Sequence, residues 1–211
     1  MSFAFKISSY NRKRKWRIFL ELMKPTSSGK VLDVGFTERE YGDTMNYIEK
    51  HYPYPEKITA LGIIEPVEFP KRYPKVRAVK YDGGRFPFGD KEFDICWSNA
   101  VIEHVGDRGK QLFFLKEINR TSRKAFITTP NRLFPVEVHT KTPFLHFMSK
   151  RIFDSYLRLV GKKWATGDYM NLLAFQDLRS LLKDAGISRY KIMRNRLLLF
   201  TMDFVVIFGD I

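Results

Sequence analysis

Short apolar segments alternate with helical segments along the sequence from Lys30 to Thr129. Runs this short, bounded by turn residues, are typical of strands buried on both faces, and strands that alternate with helices need crossover connections. The sequence therefore predicts a Rossmann-like, doubly wound α/β fold with a mostly parallel seven-stranded sheet and helices on both faces. The five predicted parallel strands are Lys30–Val34, Ile58–Ile64, Val76–Tyr81, Phe93–Ser98 and Lys124–Thr129.

The last apolar runs, Leu197–Phe200 and Asp203–Phe208, are predicted to be a strand pair that closes the sheet with an antiparallel C-terminal strand. Amphipathic periodicity predicts the helices between the strands and before the first one. The predicted helices are Asn11–Met23, a segment from Asp43 or Thr44 to His51, Asp107–Arg120, Lys150–Val160 and Phe175–Ala185.

The chain of 211 residues is predicted to be one domain with two decorations. The first is a basic amphipathic helix within residues 1–29. The second is a substrate-side insertion of loop and helix over residues 130–174, which begins with the proline-rich loop Pro130–Pro143. A loop of that length inside a compact domain usually serves binding or closure.

The charge balance predicts an anionic partner. With 37 basic and 23 acidic side chains the formal net charge is +14, so RNA, anionic lipid and phosphorylated small molecules are the candidates, beside a purely solvated surface. The single Cys96 lies in an apolar run and cannot form an internal disulfide, which favours a reducing, cytoplasmic setting. No run approaches the roughly 20 apolar residues that span a bilayer, so any membrane association is expected to be peripheral.

Polar residues and glycines follow four of the predicted strands. The segments are Asp33–Thr37, Glu65–Pro66, Asp82–Gly84 and Ser98–Val101. Because a doubly wound sheet binds its ligand beyond the carboxyl ends of its strands, where the strand order reverses, these four endings are expected to meet in one crevice.

Three quoted stretches resemble class I S-adenosylmethionine-dependent methyltransferases, in particular the small-molecule branch related to quinone-biosynthesis methyltransferases. They are VLDVG, then VRAVKYDGGRFPFGDKEFDICWSNAVIEHVGD, then AFITTPN. The resemblance covers Lys30–Pro130, and its most specific part runs from Val76 to Asp107. It implies S-adenosylmethionine as the cofactor, and no metal.

The resemblance also implies residue roles in cofactor binding. Asp33 would accept a hydrogen bond from the cofactor ammonium, directly or through water. Glu65 would bind the ribose hydroxyls, and Asp82 would accept from the adenine amino group. Gly35 would allow close backbone approach and Gly83 would offer its N–H to an adenine ring nitrogen. Phe36 or Phe86 would flank the cofactor, and Ser98, Asn99 and Ala100 would supply backbone beside its sulfonium.

Two positions depart from the family pattern. Thr37 stands where the first loop usually has a second glycine, so the loop must bend differently or contact the cofactor through the Thr37 hydroxyl. The position after the second strand at which the family has an acidic residue aligns with either Glu65 or Ile64. The segment Phe36–Glu40 also lacks the further glycines of a dinucleotide fingerprint, which disfavours a dehydrogenase.

Methyl transfer to a hydroxyl needs alignment of the reactants and a base for the released proton. The candidate bases are Glu103, His104, Glu137, His139 and His146. Asn131, Arg132 and Thr140, in the loop after the fifth strand, are predicted to line the acceptor site. Glu137 and His139 have the alternative role of tying that loop together.

The predicted function is methylation, through oxygen, of a small-molecule, sugar or lipid-precursor acceptor. Ser98–Val101 lacks the Asn/Asp-Pro-Pro-aromatic element of amino-methylating nucleic-acid enzymes, and Cys96 lies inside a strand rather than in a pocket, where cytosine C5 methylation needs it. RNA methylation of another type, and a non-catalytic binding module that kept the fold, stay open as alternatives.

Overall fold

A computed structural model describes residues 3–137, 140, 142–167 and 170–210, with the backbone alone for residues 3–6. Seven strands form one sheet in the order β3-β2-β1-β4-β5-β9-β8. They are β1 Val31–Val34, β2 Ile58–Gly62, β3 Arg77–Lys80, β4 Phe93–Asn99, β5 Ser122–Pro130, β8 Tyr190–Leu197 and β9 Phe200–Gly209. The predicted doubly wound sheet is confirmed.

Strand β1 lies between β2 and β4, and it is parallel to both. Asp33 is level with Ala60 of β2 on one side and with Trp97 of β4 on the other. Strand β3 pairs in parallel with the far side of β2. The chain thus builds outward from β1 in one direction and then crosses to β4, which puts the reversal of strand order beside β1.

Six α-helices are described around these strands. They are α1 Phe3–Met23, α2 Tyr47–His51, α3 Phe69–Arg72, α4 Arg108–Thr121, α5 Lys150–Leu159 and α6 Phe175–Asp184. Helices α4, α5 and α6 lie within one residue of their predicted bounds. Helix α1 begins eight residues earlier than predicted, at Phe3, and α2 begins at Tyr47 rather than at Asp43 or Thr44. None of the described helices is both long and apolar enough to cross a membrane.

The chain forms two compact units. The first comprises Met1–Ser98, Glu117–Phe126 and Gly209–Ile211. Its core contains an aromatic group in which Phe19 of α1 packs 4.9 Å from Trp97 and 5.4 Å from Phe126, while the Trp97 and Phe126 rings stack at 5.1 Å. The amphipathic stripe predicted on α1 therefore faces buried rings of this unit.

The second unit comprises Asn99–Lys116 and Ile127–Phe208. Its small core joins Phe153 and Leu157 of α5 to Ala165 and Met170. The segment Pro130–Pro143, predicted as an unbroken loop, contains a short hairpin instead, because β6 Val136–Glu137 pairs antiparallel with β7 Thr142–Pro143.

The predicted antiparallel C-terminal strand pair is confirmed, and its second strand, Asp203–Phe208, lies within β9. Its first strand was predicted at Leu197–Phe200 but is Tyr190–Leu197. Strands β8 and β9 pair antiparallel from Tyr190 with Phe208 to Leu197 with Phe200. Leu198 and Leu199 form the hairpin turn, where they are 89% and 91% exposed, and Leu198 has a left-handed φ of 54°. An apolar run was thus read as a strand although it is the exposed tip of the hairpin.

Candidate functional site

The loop after β1 is fixed by its own backbone and by one buried ring. Gly35 has a φ of 107°, which favours glycine, and its N–H donates to the Leu61 carbonyl at 2.8 Å. The Phe36 side chain is buried against Gly62, where an added Cβ would lie 2.6 Å from the ring, and its ring centroid is 4.5 Å from that of Phe69. Phe36, predicted to flank the cofactor, therefore packs inside the first unit.

Asn46 closes the same loop. Its Oδ1 accepts from the Thr37 N–H at 2.8 Å and from the Thr37 hydroxyl at 3.2 Å, and its Nδ2 donates to the Thr37 carbonyl at 2.8 Å and to Glu40 at 2.7 Å. Asn46 itself has a φ of 44°, in the left-handed region that Asn tolerates. The loop thus bends without a second glycine because the Thr37 hydroxyl is bonded to a side chain nine residues further on.

Glu38 fixes the start of α3 from this loop. Its carboxylate accepts from the backbone N–H groups of Val67 at 3.0 Å and Phe69 at 3.2 Å, and also from that of Glu68. These hydrogen bonds, with that from Glu68 the largest, lower the pKa of Glu38. The sequence shows no motif for this contact, because the partners lie about thirty residues apart.

Asp33 lies in the interior rather than at the open end of β1. Burial raises the pKa of Asp33 well above its usual value, the nearby Glu49 charge adds to that rise, and Arg12 opposes it. Burial also raises the pKa of Glu49 to about 6. The two carboxyl groups thus form a buried pair in the first unit, in which a proton is retained to higher pH than in water.

The carboxylates after β2 and β3 are exposed. Glu65 forms an ion pair with Lys80 at 3.0 Å in which both side chains are open to solvent. Asp82 accepts the Gly84 N–H at 2.8 Å through one oxygen, and Gly83 has a φ of 87°. Asp82 is exposed, so a ligand amino group can donate to its second carboxylate oxygen.

Exposed apolar side chains stand beside that turn. Ile63 and Ile64 are 64% and 53% exposed, and a Cβ on Gly83 would lie 4.0 Å from Cγ2 of Ile63. Such side chains suit the face of an adenine ring. They were not predicted to bind the cofactor, because an apolar run at the end of a strand is typical of the buried core. Phe86 is buried instead, with its N–H donating to Glu117 at 2.8 Å.

The end of β4 carries a strained turn. Ser98 is fully buried, and its hydroxyl has no hydrogen-bond partner among the described residues. Asn99 accepts the Thr128 hydroxyl at 2.9 Å, while the Ala100 N–H donates to the Thr128 carbonyl at 2.8 Å. Ala100 has a φ of 57°, and a non-glycine residue held in that region is frequent at ligand-binding turns.

Glu103 and His104 follow in a short 3₁₀ turn of the second unit. Glu103 is fully buried, and its Oε2 accepts the Thr129 hydroxyl at 3.0 Å. Its backbone carbonyl accepts the Asn171 N–H at 2.7 Å. His104 is partly exposed.

Of the residues after β5 that were predicted to bind the acceptor or to act as a base, Asn131, Glu137 and Thr140 form hydrogen bonds that hold the chain together. Asn131 bonds through its side chain to the Thr201 carbonyl at 2.9 Å and so ties β5 to β9. Glu137 is buried and accepts both the N–H and the hydroxyl of Thr140 at 2.5 Å, which is the loop-tying arrangement. His139 lies outside the described residues.

An open cleft of about 410 Å³ lies within the second unit. Arg132, paired with Asp177 at 3.3 Å, lines it, as does His146, whose Nε2 bonds to the Phe134 carbonyl at 2.8 Å. The sequence reading missed most of the lining because these residues come from separate helices and loops. They are Arg108, Gln111, Met148, Lys150, Phe153, Asp154, Ala165, Met170, Asn171, Leu172 and Leu173.

Asn171 joins the cleft wall to the turn after β4. Its N–H donates to Glu103, and its carbonyl accepts the Gln111 side chain at 2.8 Å. The Gln111 amide also donates to the Ile102 carbonyl at 3.2 Å. The backbone of Ile102 and Glu103, directly before His104, is therefore bonded to residues that line the cleft.

The first unit fits S-adenosylmethionine chemically. The cofactor presents hydroxyl and amino donors and an apolar adenine ring, and the loops after β2 and β3 offer exposed carboxylates on Glu65 and Asp82 beside exposed Ile63 and Ile64. Gly83, at a positive φ, leaves its N–H at the surface of the same turn. Asp33, like Phe36, Phe86 and Ser98, is buried and is therefore less suited to direct contact than these exposed residues.

Comparison with known proteins gives a consistent picture. Residues 41–125 match the family model of a methyltransferase domain. No curated protein matches the sequence. A solved structure from Nostoc punctiforme, provisionally described as an O-methyltransferase, shares 16% identity with a TM-score of 0.60, and the match covers 96% of this chain but only 56% of that one.

Two further structures are similar over most of both chains. A SAM-dependent methyltransferase from Aquifex aeolicus shares 17% identity at a TM-score of 0.54, over 95% of this chain and 97% of that one. The Burkholderia thailandensis 1,6-didemethyltoxoflavin-N1-methyltransferase, solved with S-adenosylhomocysteine, shares 16% identity at a TM-score of 0.57, over 95% and 79%. At these identities the likeness shows a shared fold.

Proposed function

We propose that this chain, whose residues 41–125 match a methyltransferase domain on the fold of S-adenosylmethionine-dependent methyltransferases, methylates a hydroxyl of a small-molecule, sugar or lipid-precursor acceptor. The match to a methyltransferase domain and the fold make the chain an enzyme. S-adenosylmethionine is the cofactor that enzymes with this domain and fold use. The oxygen atom, the acceptor class and the quinone-biosynthesis-like branch are parts of the proposal.

The observation that carries the acceptor class is the cleft of the second unit. Its volume of about 410 Å³ suits one small molecule. Arg132 and Lys150 lie in its wall, where they pair with Asp177 at 3.3 Å and with Asp154 at 3.8 Å. Phe153 and Met170 offer apolar surface in the same wall. This mixture favours an acceptor that has both an anionic or strongly polar group and an apolar part.

The cofactor residues are assigned by chemistry. We expect Asp82 to accept from the adenine amino group through its second carboxylate oxygen. Glu65 is expected to accept from the ribose hydroxyls, and Ile63 to cover the adenine ring. When bound, the cofactor supplies the electrophilic methyl group of its sulfonium; as the new carbon–oxygen bond forms, the carbon–sulfur bond breaks and the sulfur leaves as a neutral thioether.

Glu103 and His104 are the proposed proton acceptors. The acceptor hydroxyl must lose its proton as its oxygen takes the methyl group, and a positioned base assists that loss. Glu103 is held by Thr129 and Asn171, while His104 is partly exposed. We therefore propose that His104 receives the proton and that Glu103 positions the turn that carries it.

Radiolabelled S-adenosylmethionine incubated with separated lipid, glycan, RNA and metabolite fractions tests this function. We expect label in a lipid, glycan or metabolite fraction, stable to mild base as an ether is. Label only in RNA would replace the proposed acceptor with a nucleic acid. Cofactor binding with no transfer to any fraction, or neither binding nor transfer, would favour the non-catalytic module.

A cleft variant and a matched control make the test specific to the site. Arg132→Gln is expected to raise the KM for the labelled fraction about tenfold or more, the scale of one lost charged contact, while cofactor affinity stays unchanged. Arg179→Gln, an exposed arginine of α6 outside the cleft lining, is the control. Equal KM values for the two variants would remove the cleft from the acceptor site.

A further inference from the structure

The insertion of the second unit exposes many large apolar side chains. On α5, Phe153 and Leu157 face the core, yet Leu159 on the other side is 86% exposed. The other exposed members are Leu133, Val136, Phe144, Phe147, Met148, Ile152, Val160 and Trp164. A segment that leaves this many apolar side chains exposed normally binds a partner that covers them.

Basic side chains accompany this apolar surface. Ile152 and Leu159 are seven residues apart on α5 and so share one face of the helix, with Arg151 and Arg158 following the same spacing beside them. Lys150 and Lys163 are exposed as well. The acidic residues described in the insertion, Glu137 and Asp154, are both buried.

The tip of the β8–β9 hairpin is also strongly apolar, and hydrogen bonds join its base to the start of the insertion. Leu198 and Leu199 are its most exposed residues, followed by Phe200. Directly beyond them, the Thr201 and Met202 carbonyls accept hydrogen bonds from Asn131, at the carboxyl end of β5 where the insertion starts. We call the insertion residues and this tip together the basic apolar surface.

The basic apolar surface borders the acceptor cleft. Met148 and Lys150 belong to both, since each is exposed and each lines the cleft.

We infer that the basic apolar surface docks on an anionic lipid bilayer. Aromatic and aliphatic side chains enter the acyl boundary, while arginine and lysine bind the phosphates of the headgroups. RNA is a poorer occupant, because the most exposed members are aliphatic leucines that cannot stack on bases. A second copy is also poorer, because a two-fold contact would place Arg151 and Arg158 against like charges. The inference concerns attachment and does not depend on which acceptor is methylated.

Vesicle binding tests the inference on the full chain. Phosphatidylcholine vesicles with and without phosphatidylserine are sedimented with the protein at low and high salt. We expect binding to the anionic vesicles that weakens with salt. Leu198→Ser combined with Leu199→Ser should weaken it about tenfold or more, as expected when two side chains no longer enter the bilayer.

Two further variants separate charge from apolar contact. Arg151→Glu with Arg158→Glu should abolish the preference for phosphatidylserine. Phe113→Ser, which changes an exposed apolar residue of α4 outside this surface, is the control and should bind as the parent does. Thermal unfolding confirms that each variant is folded, as substitutions at exposed positions should leave it.

Three results would overturn the inference. They are equal sedimentation with both kinds of vesicle, binding of a labelled single-stranded RNA but not of vesicles, and a stable dimer in light scattering that the two leucine substitutions dissociate. Because sedimentation needs no turnover, failure of vesicle binding is distinguishable from failure of the methyl-transfer proposal.

Discussion

Asp82 uses one carboxylate oxygen to accept the Gly84 N–H, at 2.8 Å, which leaves the other for a ligand. Asp82→Asn keeps the first bond through its amide oxygen but turns an NH₂ donor toward the adenine amino group. We expect cofactor affinity to weaken by about 1–3 kcal/mol, the scale of an unmet polar partner, with an unchanged melting temperature. Isothermal titration with S-adenosylmethionine measures it, and parental affinity in Asp82→Asn would remove Asp82 from the cofactor site.

His104 and Glu103 differ in burial, which separates their proposed roles. His104→Gln should lower kcat about 10²- to 10⁴-fold, the usual contribution of a positioned base, with cofactor affinity preserved. Glu103→Gln still accepts the Thr129 hydroxyl and should lose less. Single-turnover rates across pH check this, since a parental pH–rate profile in His104→Gln would assign the base elsewhere.

The buried carboxyl pair makes stability depend on pH. Glu49 has a pKa raised by burial from 4.5 to about 6, so the folded chain retains a proton that the unfolded chain has released. Its contribution is present in full below pH 4.5 and is lost as pH rises through 6. We expect the free energy of unfolding to fall by about 2 kcal/mol from this group between pH 4.5 and pH 7.

Glu49→Gln isolates this effect, because it removes the titrating group and keeps its size. Urea unfolding of parent and variant at pH 5 and pH 8 should show a smaller fall in the variant. Asp33, whose pKa burial also raises, should still make the variant lose some stability as pH rises. Equal slopes for parent and variant would mean that Glu49 is ionised in the folded chain throughout.

Helix α1 belongs to the first unit through its aromatic residues. Phe19 is fully buried against Trp97 and Phe126. Phe19→Ala should therefore lower the free energy of unfolding by about 3–5 kcal/mol, the range for a lost core phenylalanine. Leu20→Ala, one position along the same helix and 38% exposed, should cost much less. Chemical denaturation compares the two, and similar losses would mean that α1 is not docked through this face.

Elements with a buried, periodic pattern were predictable from the sequence, and those defined by distant partners were not. Strand β1 through β5 and the ends of α4 follow from short apolar runs and turn residues. The hairpin tip at Leu198 was misread because composition does not reveal whether an apolar run is buried. The first eight residues of α1 lack the apolar stripe that marks its later part, so its start was placed too late.

The candidate site shows the same division. Gly35 was predicted from the family resemblance to allow close backbone approach, and the structure gives it a φ of 107°, a second reason for glycine at this position. The partner of Thr37 was not, because Asn46 reaches it by a loop whose bend no local motif encodes. The cleft residues Gln111 and Asn171 come together only through tertiary hydrogen bonds.

The net charge of the whole molecule, +14, should act on cofactor and acceptor in opposite ways. S-adenosylmethionine itself carries a net positive charge at neutral pH, so salt that screens repulsion should leave its affinity equal or slightly higher. An anionic acceptor is attracted, and screening over a Debye length that shrinks from about 30 Å at 0.01 M to about 10 Å at 0.1 M should slow its capture. We expect kcat/KM for the labelled fraction to fall on the order of tenfold over that range, while the cofactor Kd measured in the same buffers does not rise. A kcat/KM that is independent of salt would mean that the acceptor reaches the enzyme uncharged, and that the arginines and lysine of the cleft bind a polar rather than an anionic group.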